Sequence, residues 1–389
     1  MSGLRFGLSL SMQGRGGKAW KPSDLFETGS GFLYDFSLAY TLFQEATGQT
    51  AAGTGQNVGL ALDVSKWGGK TLAQVLAGQA ELVKNGDFSA GTAGWASNDV
   101  GSALSVVGGE LELTADAGAK GAVQQIVIPA NTTVRLRVGK VRLGTSASGL
   151  LRIDTIAGSW AIMPGSNPIT LTGSNRAWET ICRTGAAGIT INIYLRAGAA
   201  GTCYLDDVSI KEVPGNHASQ ATSGARPVLK AGGLTRYDGS DDGLVMTVNP
   251  SAATTFLVEG KLPSSNSRYF GGVNGAGTSR LYLGTNSGVL AALVGSGTAL
   301  LGTAALSESG VFGVMNDGTT ASLIQNGAIV ASQAQAGAPT TAFPIALGFV
   351  NNSGTPAGCG NSNIYKALAI NRALTPAEIV KLTNYWNTH

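Results

Sequence analysis

The chain has 389 residues and a formal net charge of +3, and its 13% share of charged residues is about half the usual value of roughly 25%. Its 57 glycines show no fixed period, which excludes a collagen-like chain and fits many short strands joined by tight turns. The length predicts two or three domains. The weak, scattered positive charge argues against nucleic acid as a partner.

Residues 1–19 are predicted to be a docking arm. Arg5, Arg15, Lys18 and Lys21 lie close together in a glycine-rich stretch. A short basic segment of this kind can become ordered on a partner protein. The alternative is a solvated, mobile chain end.

The sequence predicts neither a membrane span nor a disulfide framework. No apolar run reaches the roughly 18 residues that a spanning helix needs, and residues 4–12 are too short and too polar for a secretory signal. We therefore expect a chain that is made without export. Cys182, Cys203 and Cys359 are predicted to be free thiols, with a pair between the first two as the alternative.

Residues 20–78 mix aromatic and turn residues. Three pieces stand out, Leu33 to Ser37, Thr41 to Glu45 and Val58 to Asp63. Apolar spacing in the second piece predicts a short helical turn, which Gly48 would stop.

Residues 79–213, called the module below, open at Glu81 to Ser89 and close at Cys203 to Val213. Between these ends, several segments of strand length alternate or run apolar. The clearest is Thr190 to Arg196, where Ile191, Ile193 and Leu195 share one face and Asn192, Tyr194 and Arg196 share the other. This pattern predicts a half-buried antiparallel strand.

Residues 214–389 continue with predicted strands and end in one predicted helix. Thr375 is a suitable N-cap, Pro376 fits the first turn and Glu378 completes a capping box. Ile379, Leu382 and Trp386 then form one apolar stripe.

Two resemblances give these segments a fold. The ends of the module resemble the first and last strands of jelly-roll carbohydrate-binding modules, also called galactose-binding-like domains. The flanks resemble the concanavalin-like or laminin-G-like domain of tailed-bacteriophage virion proteins. In those proteins the pattern seen at Val58 to Asp63 leads directly into the pattern seen here at Gly215 to Thr222, followed by Arg226 and Pro227.

The resemblances imply an all-β protein, a concanavalin-like β-sandwich with an inserted jelly-roll β-sandwich and one C-terminal helix. The expected division is 1–19 for the arm, 20–78 and 214–389 for the two parts of the concanavalin-like domain, and 79–213 for the jelly roll. A jelly roll has neighbouring termini and can enter a surface loop of its host. Two separate domains in tandem would give the same order of segments.

Catalytic chemistry is not indicated. Glycoside hydrolases need two carboxyl groups that face one sugar, and the nearest pair on one strand face, Glu110 and Glu112, fits a solvated strand. His217 and His389 are the only histidines, and we expect His217 to be a hydrogen-bonded loop residue. A glycoside hydrolase is therefore the least favoured function.

The resemblance to jelly-roll modules implies a candidate structural calcium ion where the first and last strands meet. Glu81, Asp87, Asp206 and Asp207 lie on the matching stretches. The alternative is that Asp87 forms a turn and the Asp206 and Asp207 pair faces water.

Sugar binding in such modules depends on exposed rings that stack on pyranose faces. Trp95, Trp160, Trp178 and Tyr194 are the candidate rings, with core packing as the alternative.

Together these features predict a non-enzymatic structural or adhesive component of a tailed-phage virion, in a tail, fibre or head decoration. Its expected partners are other virion proteins, bound through the arm, and a host-surface glycan. We expect a homo-oligomer that is made in the host cytoplasm and located in the virion. The alternative is a glycan-binding adhesion protein that contacts the host surface.

Overall fold

The structure is a computed structural model. It describes residues 19–248, 253–262, 267–273, 280–295, 299–306, 309–335, 343–352 and 355–389. The predicted docking arm thus lies outside the described residues, apart from its last position. Within the described ranges the chain is mostly strands, with short helices and one longer helix at the C-terminal end, so the predicted all-β class is confirmed.

The strands before the module are β1 (Gly31–Asp35), β2 (Leu42–Phe43) and β3 (Leu60–Ala61). The module contains β4 (Ala96–Ser97), β5 (Ser102–Val107), β6 (Glu110–Ala115), β7 (Lys120–Ile128), β8 (Thr133–Leu143), β9 (Gly149–Ile162), β10 (Ile169–Thr170), β11 (Arg176–Ala197) and β12 (Gly201–Glu212).

The strands after the module begin with β13 (Ala218–Ser219), β14 (Val228–Lys230), β15 (Leu234–Asp238), β16 (Leu244–Val248), β17 (Thr254–Lys261), β18 (Ser267–Val273), β19 (Arg280–Asn286) and β20 (Val289–Val294). They continue with β21 (Leu300–Ala305), β22 (Gly310–Asn316), β23 (Thr320–Gln325), β24 (Ala328–Ala334), β25 (Phe343–Leu347), β26 (Val350–Asn352), β27 (Thr355–Ala357) and β28 (Asn361–Ile370). The α-helices are α1 (Leu72–Ala77) and α2 (Pro376–Thr388), and 3-10 turns span Pro22–Glu27, Ala39–Thr41 and Ser223–Ala225.

The flanks of the module form two sheets. Sheet A has the order β14-β15-β28-β17-β22-β23-β24, with β1 also paired to β28. Sheet B has the order β2-β3-β13-β16-β25-β18-β19-β20-β21, with β26 beside β18 and β27 beside β26. Their facing sides bury one shared apolar core, in which the rings of Phe256 and Phe270 lie 4.7 Å apart.

Strands from both flanks pair with each other. In sheet A, Gly31–Asp35 runs antiparallel to the end of β28, and in sheet B, Leu60 and Ala61 pair with Ser219 and Ala218. Since these partners lie on opposite sides of the module in sequence, the module interrupts a sandwich that both flanks build.

The module has a core of its own. Its sheet follows the order β10-β9-β11-β8-β12-β6-β5, with β7 paired to β11 and β4 to β7. The pairing of β11 changes along its length. Residues 176–183 pair with β8, and residues 189–197 pair with β7 and β9. Both halves of β11 contribute to the same core, as Cys182 and Ile191 show.

Helix α2 covers the outer side of sheet A. Thr375 Oγ1 accepts a hydrogen bond from the backbone of Glu378, and the Glu378 carboxylate accepts one from the backbone of Thr375, so the predicted capping box is confirmed. Ile379, Leu382 and Trp386 are buried against sheet A. Burial of each such side chain stabilises the fold by roughly 1.5–3 kcal/mol. No helix among the described residues is long and apolar enough to cross a membrane.

Two local features of the first flank differ from the predictions. The helical turn expected over Thr41 to Glu45 lies earlier, as a 3-10 turn over Ala39–Thr41, and Leu42 and Phe43 pair instead as a strand with Ala61 and Leu60. Helix α1, with its own capping box between Thr71 and Gln74, was not expected. The three cysteines are free thiols, as predicted.

A loop of the first flank docks on the module. The Thr47 carbonyl accepts hydrogen bonds from Ile181 N at 2.8 Å and from Thr180 Oγ1 at 2.9 Å. Ile181 is buried in the cluster that also holds Leu60 and Leu62. Near the chain crossings, Trp67 Nε1 donates to the Pro214 carbonyl at 3.1 Å. The points where the chain enters and leaves the module thus lie side by side, which is the geometry that an insertion requires.

We predict that replacing residues 79–213 by a short Gly-Ser linker leaves a folded, less stable remainder. Sheets A and B close without the module, and the loss of Ile181 removes apolar contacts from the first flank. Circular dichroism and thermal unfolding measure both effects, and the isolated module is the matched control. An unfolded remainder, together with an independently folding 215–389 fragment, would contradict this prediction.

Candidate functional site

A buried carboxylate and a buried histidine meet where the module joins the sandwich. Asp63 is fully buried, and its oxygens accept hydrogen bonds from three backbone N–H groups, those of Leu33 at 2.8 Å, Ser65 at 2.8 Å and Asn216 at 2.7 Å. The backbone N–H of Asp63 donates to His217 Nδ1 at 2.9 Å. These contacts connect β1, the end of β3 and the chain that leaves the module. We call Asp63 and His217 the seam.

The hydrogen bonds fix the tautomer of His217. Its Nδ1 accepts a hydrogen bond from the backbone N–H of Asp63, so the ring proton lies on Nε2, which donates to the Val213 carbonyl at 3.0 Å. Burial lowers the pKa of His217 to about 4, with Arg183 nearby adding to the effect. His217 is therefore neutral near pH 7 and has the hydrogen-bonded structural role that the sequence predicts.

The pKa of Asp63 moves in the opposite direction. Burial raises it to about 6, against the lowering effect of its backbone hydrogen bonds. Perturbed groups of this kind are frequent in active sites. At the seam, however, both side chains are enclosed and every described polar contact is internal, so their arrangement is suited to joining chain segments.

The structure separates the four predicted sugar-binding rings into two groups. Trp95 and Trp178 are each 6% exposed and lie in the module core, so the expectation that they present a ring face to solvent is wrong. Trp160 is partly exposed at the edge of that core. Tyr194 is 8% exposed and lies on the outer side of β11.

Both the ring and the hydroxyl of Tyr194 have contacts. Its ring lies against Gly121, where an added Cβ would come within 2.5 Å of the ring. The Arg152 guanidinium is 5.7 Å from the ring centroid on a neighbouring strand. The hydroxyl accepts a hydrogen bond from Asn98 Nδ2 at 2.9 Å and donates to Asp99 Oδ2 at 3.2 Å. Tyr194 thus anchors this surface through its ring and its hydroxyl.

Around Tyr194, polar side chains from three adjacent strands share one surface. On β11, Asn192 lies opposite Gln125 of β7 and Asp154 of β9. Arg152 forms an ion pair with Asp154. We call this surface, made by Gln125, Arg152, Asp154, Asn192, Tyr194 and Arg196, the polar face.

One acceptor on the polar face has no donor. Asn192 Oδ1 is enclosed and accepts no hydrogen bond within the described part of the chain. An enclosed polar atom without a partner costs about 1–3 kcal/mol. A ligand hydroxyl that displaced a neighbouring side chain would satisfy this oxygen.

The carboxylates predicted for calcium are engaged in other contacts. Glu81 accepts hydrogen bonds from the backbone of Val83 at 3.1 Å and Ile210 at 2.7 Å, and from Ser209 Oγ at 2.6 Å. Because Glu81 and Ile210 lie on the first and last stretches of the module, this carboxylate joins the two stretches by hydrogen bonds. Asp87 accepts bonds from Ser89 in a local turn.

Asp206 and Asp207 each have a cationic partner. Lys140 Nζ lies 2.8 Å from Asp206 Oδ2, and Arg137 Nη1 lies 2.8 Å from Asp207 Oδ2. Arg137 also lines, with Lys211, the 380 Å³ cavity that Glu81, Asp87 and Asp207 share. Positive side chains in that cavity oppose a bound cation, so these residues do not fit a calcium ion in this arrangement. The calcium site stays a prediction.

Among the described residues, only Asp238, Asp241 and Asp242 bring three metal-capable side chains within 4.8 Å of one another. They form a turn that their own side chains stabilise. Asp238 Oδ1 accepts a hydrogen bond from Ser240 N at 2.8 Å, and Asp242 Oδ2 accepts one from Asp238 N at 2.9 Å. Burial raises the pKa of Asp242 to about 6, and the other two carboxylates add to the rise.

A groove on the outer side of sheet B was not predicted from the sequence. Two cavities, of 390 Å³ and 270 Å³, share Arg268 and Tyr282 as lining residues. Arg280 and Asn352 line the smaller cavity, and Asn286 lines the larger one. The alternation of β19 was the available signal, since it places Arg280 and Tyr282 opposite the buried Leu281 and Leu283. We call this feature the sheet B groove.

We predict that Glu81→Ala destabilises the protein by about 1 kcal/mol, because its three hydrogen bonds are lost, and two of them, from Ser209 and Ile210, join the ends of the module. Asp87→Ala is the control and should have a smaller effect, since its contacts are local. Thermal unfolding with millimolar calcium and with a chelator should give the same midpoint. A midpoint that rises with calcium in the wild type, and in neither variant, would instead establish the calcium site.

We also predict that the seam residues have opposite effects on acid stability. Between pH 6.5 and about 4 the unfolded chain protonates His217 and the folded chain does not, so a falling pH favours unfolding. Between about 6 and 3.8 the folded chain protonates Asp63 and the unfolded chain does not, so a falling pH favours folding. In the wild type these two contributions oppose each other.

Asp63→Asn should therefore lose stability more steeply than the wild type from pH 6.5 to 4, and His217→Gln less steeply, by about 2 kcal/mol across the window. Denaturant unfolding at several pH values in this range measures the slopes. Equal slopes in all three proteins would show that neither group titrates as assigned.

No protein-family model and no curated protein sequence matches the chain. Several solved structures do. A Ruminococcus gnavus sialidase carbohydrate-binding module, CBM40, bound to α2,3-sialyllactose is 20% identical, with 38% of this chain and 92% of that chain covered and a TM-score of 0.31. The tandem CBM22 domains of Paenibacillus barcinonensis Xyn10C are 13% identical, with 77% and 92% covered and a TM-score of 0.31. Trypanosoma rangeli sialidase, in complex with the inhibitor DANA, is 12% identical, with 72% and 62% covered and a TM-score of 0.34. All three TM-scores lie below 0.5, so these likenesses carry no weight for the function of this chain.

Proposed function

We propose that the chain is a non-enzymatic binding protein of a tailed-phage particle, and that the polar face of the module binds a glycan. The observation that carries the glycan proposal is the set of planar polar side chains that β7, β9 and β11 place side by side, around an anchored tyrosine. Sugars are recognised by such convergent amide, guanidinium and carboxylate groups, which fix the orientation of the hydroxyls.

The polar face has the properties that a weak glycan site needs. Gln125 is exposed, and Arg152, Asn192 and Arg196 are partly exposed. Tyr194 holds the position of Arg152 through its ring and ties the surface to Asn98 and Asp99. A sheet supports these side chains on a rigid backbone, which limits the ordering that binding requires.

The same geometry supports a non-catalytic role. A glycosidase places two carboxyl groups roughly 5–9.5 Å apart across one sugar. Two carboxylates lie at or beside the polar face, and both are engaged, Asp154 with Arg152 and Asp99 with the Tyr194 hydroxyl. Glu110 and Glu112 lie elsewhere and are engaged, the first with Arg142 and the second with Tyr204.

The particle role is supported by the resemblance of both flanks to phage virion domains and by the basic start of the chain. Repeated copies of a subunit would multiply weak glycan contacts into useful avidity. Mass spectrometry of purified particles tests this role. Removal of residues 1–18 should prevent incorporation if the arm is the anchor.

We predict that Asn192→Ala weakens binding about fivefold or more for a glycan that binds the wild type on an array, because the amide is lost from the centre of the polar face. Thr114→Ala, a polar truncation at an exposed position of β6, is the matched control and should bind normally. A glycan array identifies the ligand, and calorimetry measures the affinity. The same incubation should release no reducing ends. Equal loss in both variants, or hydrolysis that a carboxylate substitution abolishes, would refute the proposal.

A further inference from the structure

The sheet B groove lies on the sandwich, apart from the module and its polar face. Its two cavities have volumes of 390 Å³ and 270 Å³, and Arg268 and Tyr282 form the wall between them. Ligand pockets typically measure about 300–1,000 Å³. The combined volume of the two cavities falls within that range.

The described residues that line the groove carry positive charge only. Arg268 and Arg280 contribute guanidinium groups, and none of the described residues that line either cavity is acidic. Arg268 stacks on Tyr282, with 4.9 Å between its guanidinium carbon and the ring centroid. Within the described ranges Arg268 makes no ion pair. A guanidinium that lies on an aromatic ring keeps its N–H edges available for an anion.

The position of Arg268 is set by the backbone around it. The backbone N–H of Arg268 donates to the Gly358 carbonyl at 2.8 Å. Gly358 has a φ of +62° and lies under the side chain, where an added Cβ would come within 2.7 Å of Arg268 Cδ. Only glycine adopts this conformation readily and leaves that space. The arginine is therefore placed before any ligand arrives.

The groups in the groove select a class of ligand. Arginine binds carboxylates in a bidentate, charge-assisted geometry. The tyrosine offers an apolar surface and a hydroxyl, and Asn286 and Asn352 add amides at exposed positions of the larger and the smaller cavity. A chain of sugars that carry carboxylates has all the matching groups, because it combines ring faces, hydroxyls and regularly spaced anions.

We propose that the sheet B groove is a second binding site, which takes an acidic polysaccharide whose carboxylates meet Arg268. A nucleic acid is a weaker match, since the net charge of the chain is only +3 and phosphate binding depends on many cationic contacts. This site goes beyond the proposed function, because it uses other residues on the other sandwich.

The test is calorimetry of the full chain with polygalacturonate, alginate and hyaluronate oligosaccharides, each beside its carboxyl-reduced counterpart. We expect at least one acidic oligosaccharide to bind, its reduced form to bind about tenfold more weakly or not at all, and Arg268→Gln and Tyr282→Ala each to lower the affinity about tenfold. Arg176→Gln removes an exposed arginine elsewhere and should leave binding unchanged. Unfolding curves establish that the variants are folded.

Several results would overturn the proposal. One is that no acidic oligosaccharide binds, and another is that the wild type and Arg268→Gln bind with equal affinity. A third is that single-stranded oligothymidylate binds more tightly than the oligosaccharides, with the same affinity in the wild type and in Tyr282→Ala. Asn192→Ala distinguishes the two sites. This substitution should not change the affinity of the groove for acidic oligosaccharides. If the polar face turns out not to bind a glycan, the measurements on the groove therefore still test the second site.

Discussion

The buried carboxylate of Asp63 is the contact on which the joining of the two units depends. It sits at the end of β3 and accepts hydrogen bonds from β1, from its own following turn and from Asn216, just after the module. Its backbone also donates to His217. A buried charge is tolerated only when its hydrogen bonds are complete. The chain that leaves the module must therefore return to this point for the carboxylate to be satisfied.

That requirement explains why a large module does not disrupt its host. The loop at Thr47 contacts β11, and Ile181 enters the cluster of the first flank, so the module is packed as well as tethered. The two cores otherwise remain separate. Each sandwich can keep its own inner faces for stability and leave its outer faces for contacts with other molecules.

Much of the fold was predictable because it depends on local periodicity. The alternation from Thr190 to Arg196 and the capping box at Thr375 both gave correct elements. Features that depend on distant partners were not predictable. Leu42 and Phe43 form a strand only because Leu60 and Ala61 lie beside them. Core packing, the alternative for Trp95 and Trp178, is the outcome, and the sequence could not decide it for Trp178 because its neighbour Val138 lies 40 residues away on β8.

The predicted calcium ligands show the same limit. The expectation that Glu81 lies beside the last strand of the module is correct. The cationic partners of Asp206 and Asp207, however, come from β8, and only the register of β8 against β12 shows that they are close. The sheet B groove depends on Gly358 beneath Arg268, a contact across 90 residues that no short motif records.

The pairing of polar groups distinguishes the outer faces from one another. On the face formed by β8, β12 and β6, Arg137, Lys140 and Arg142 each meet a carboxylate, and Tyr204 donates to Glu112. A ligand there would have to replace contacts that are already made, which costs desolvation without a matching gain. The polar face has Asn192 Oδ1 without a donor, and the groove has Arg268 without a carboxylate among the described residues. Binding at these two places can add contacts that the described part of the chain does not make for itself, so an outer face is suited to recognition where its own hydrogen bonds and ion pairs are incomplete.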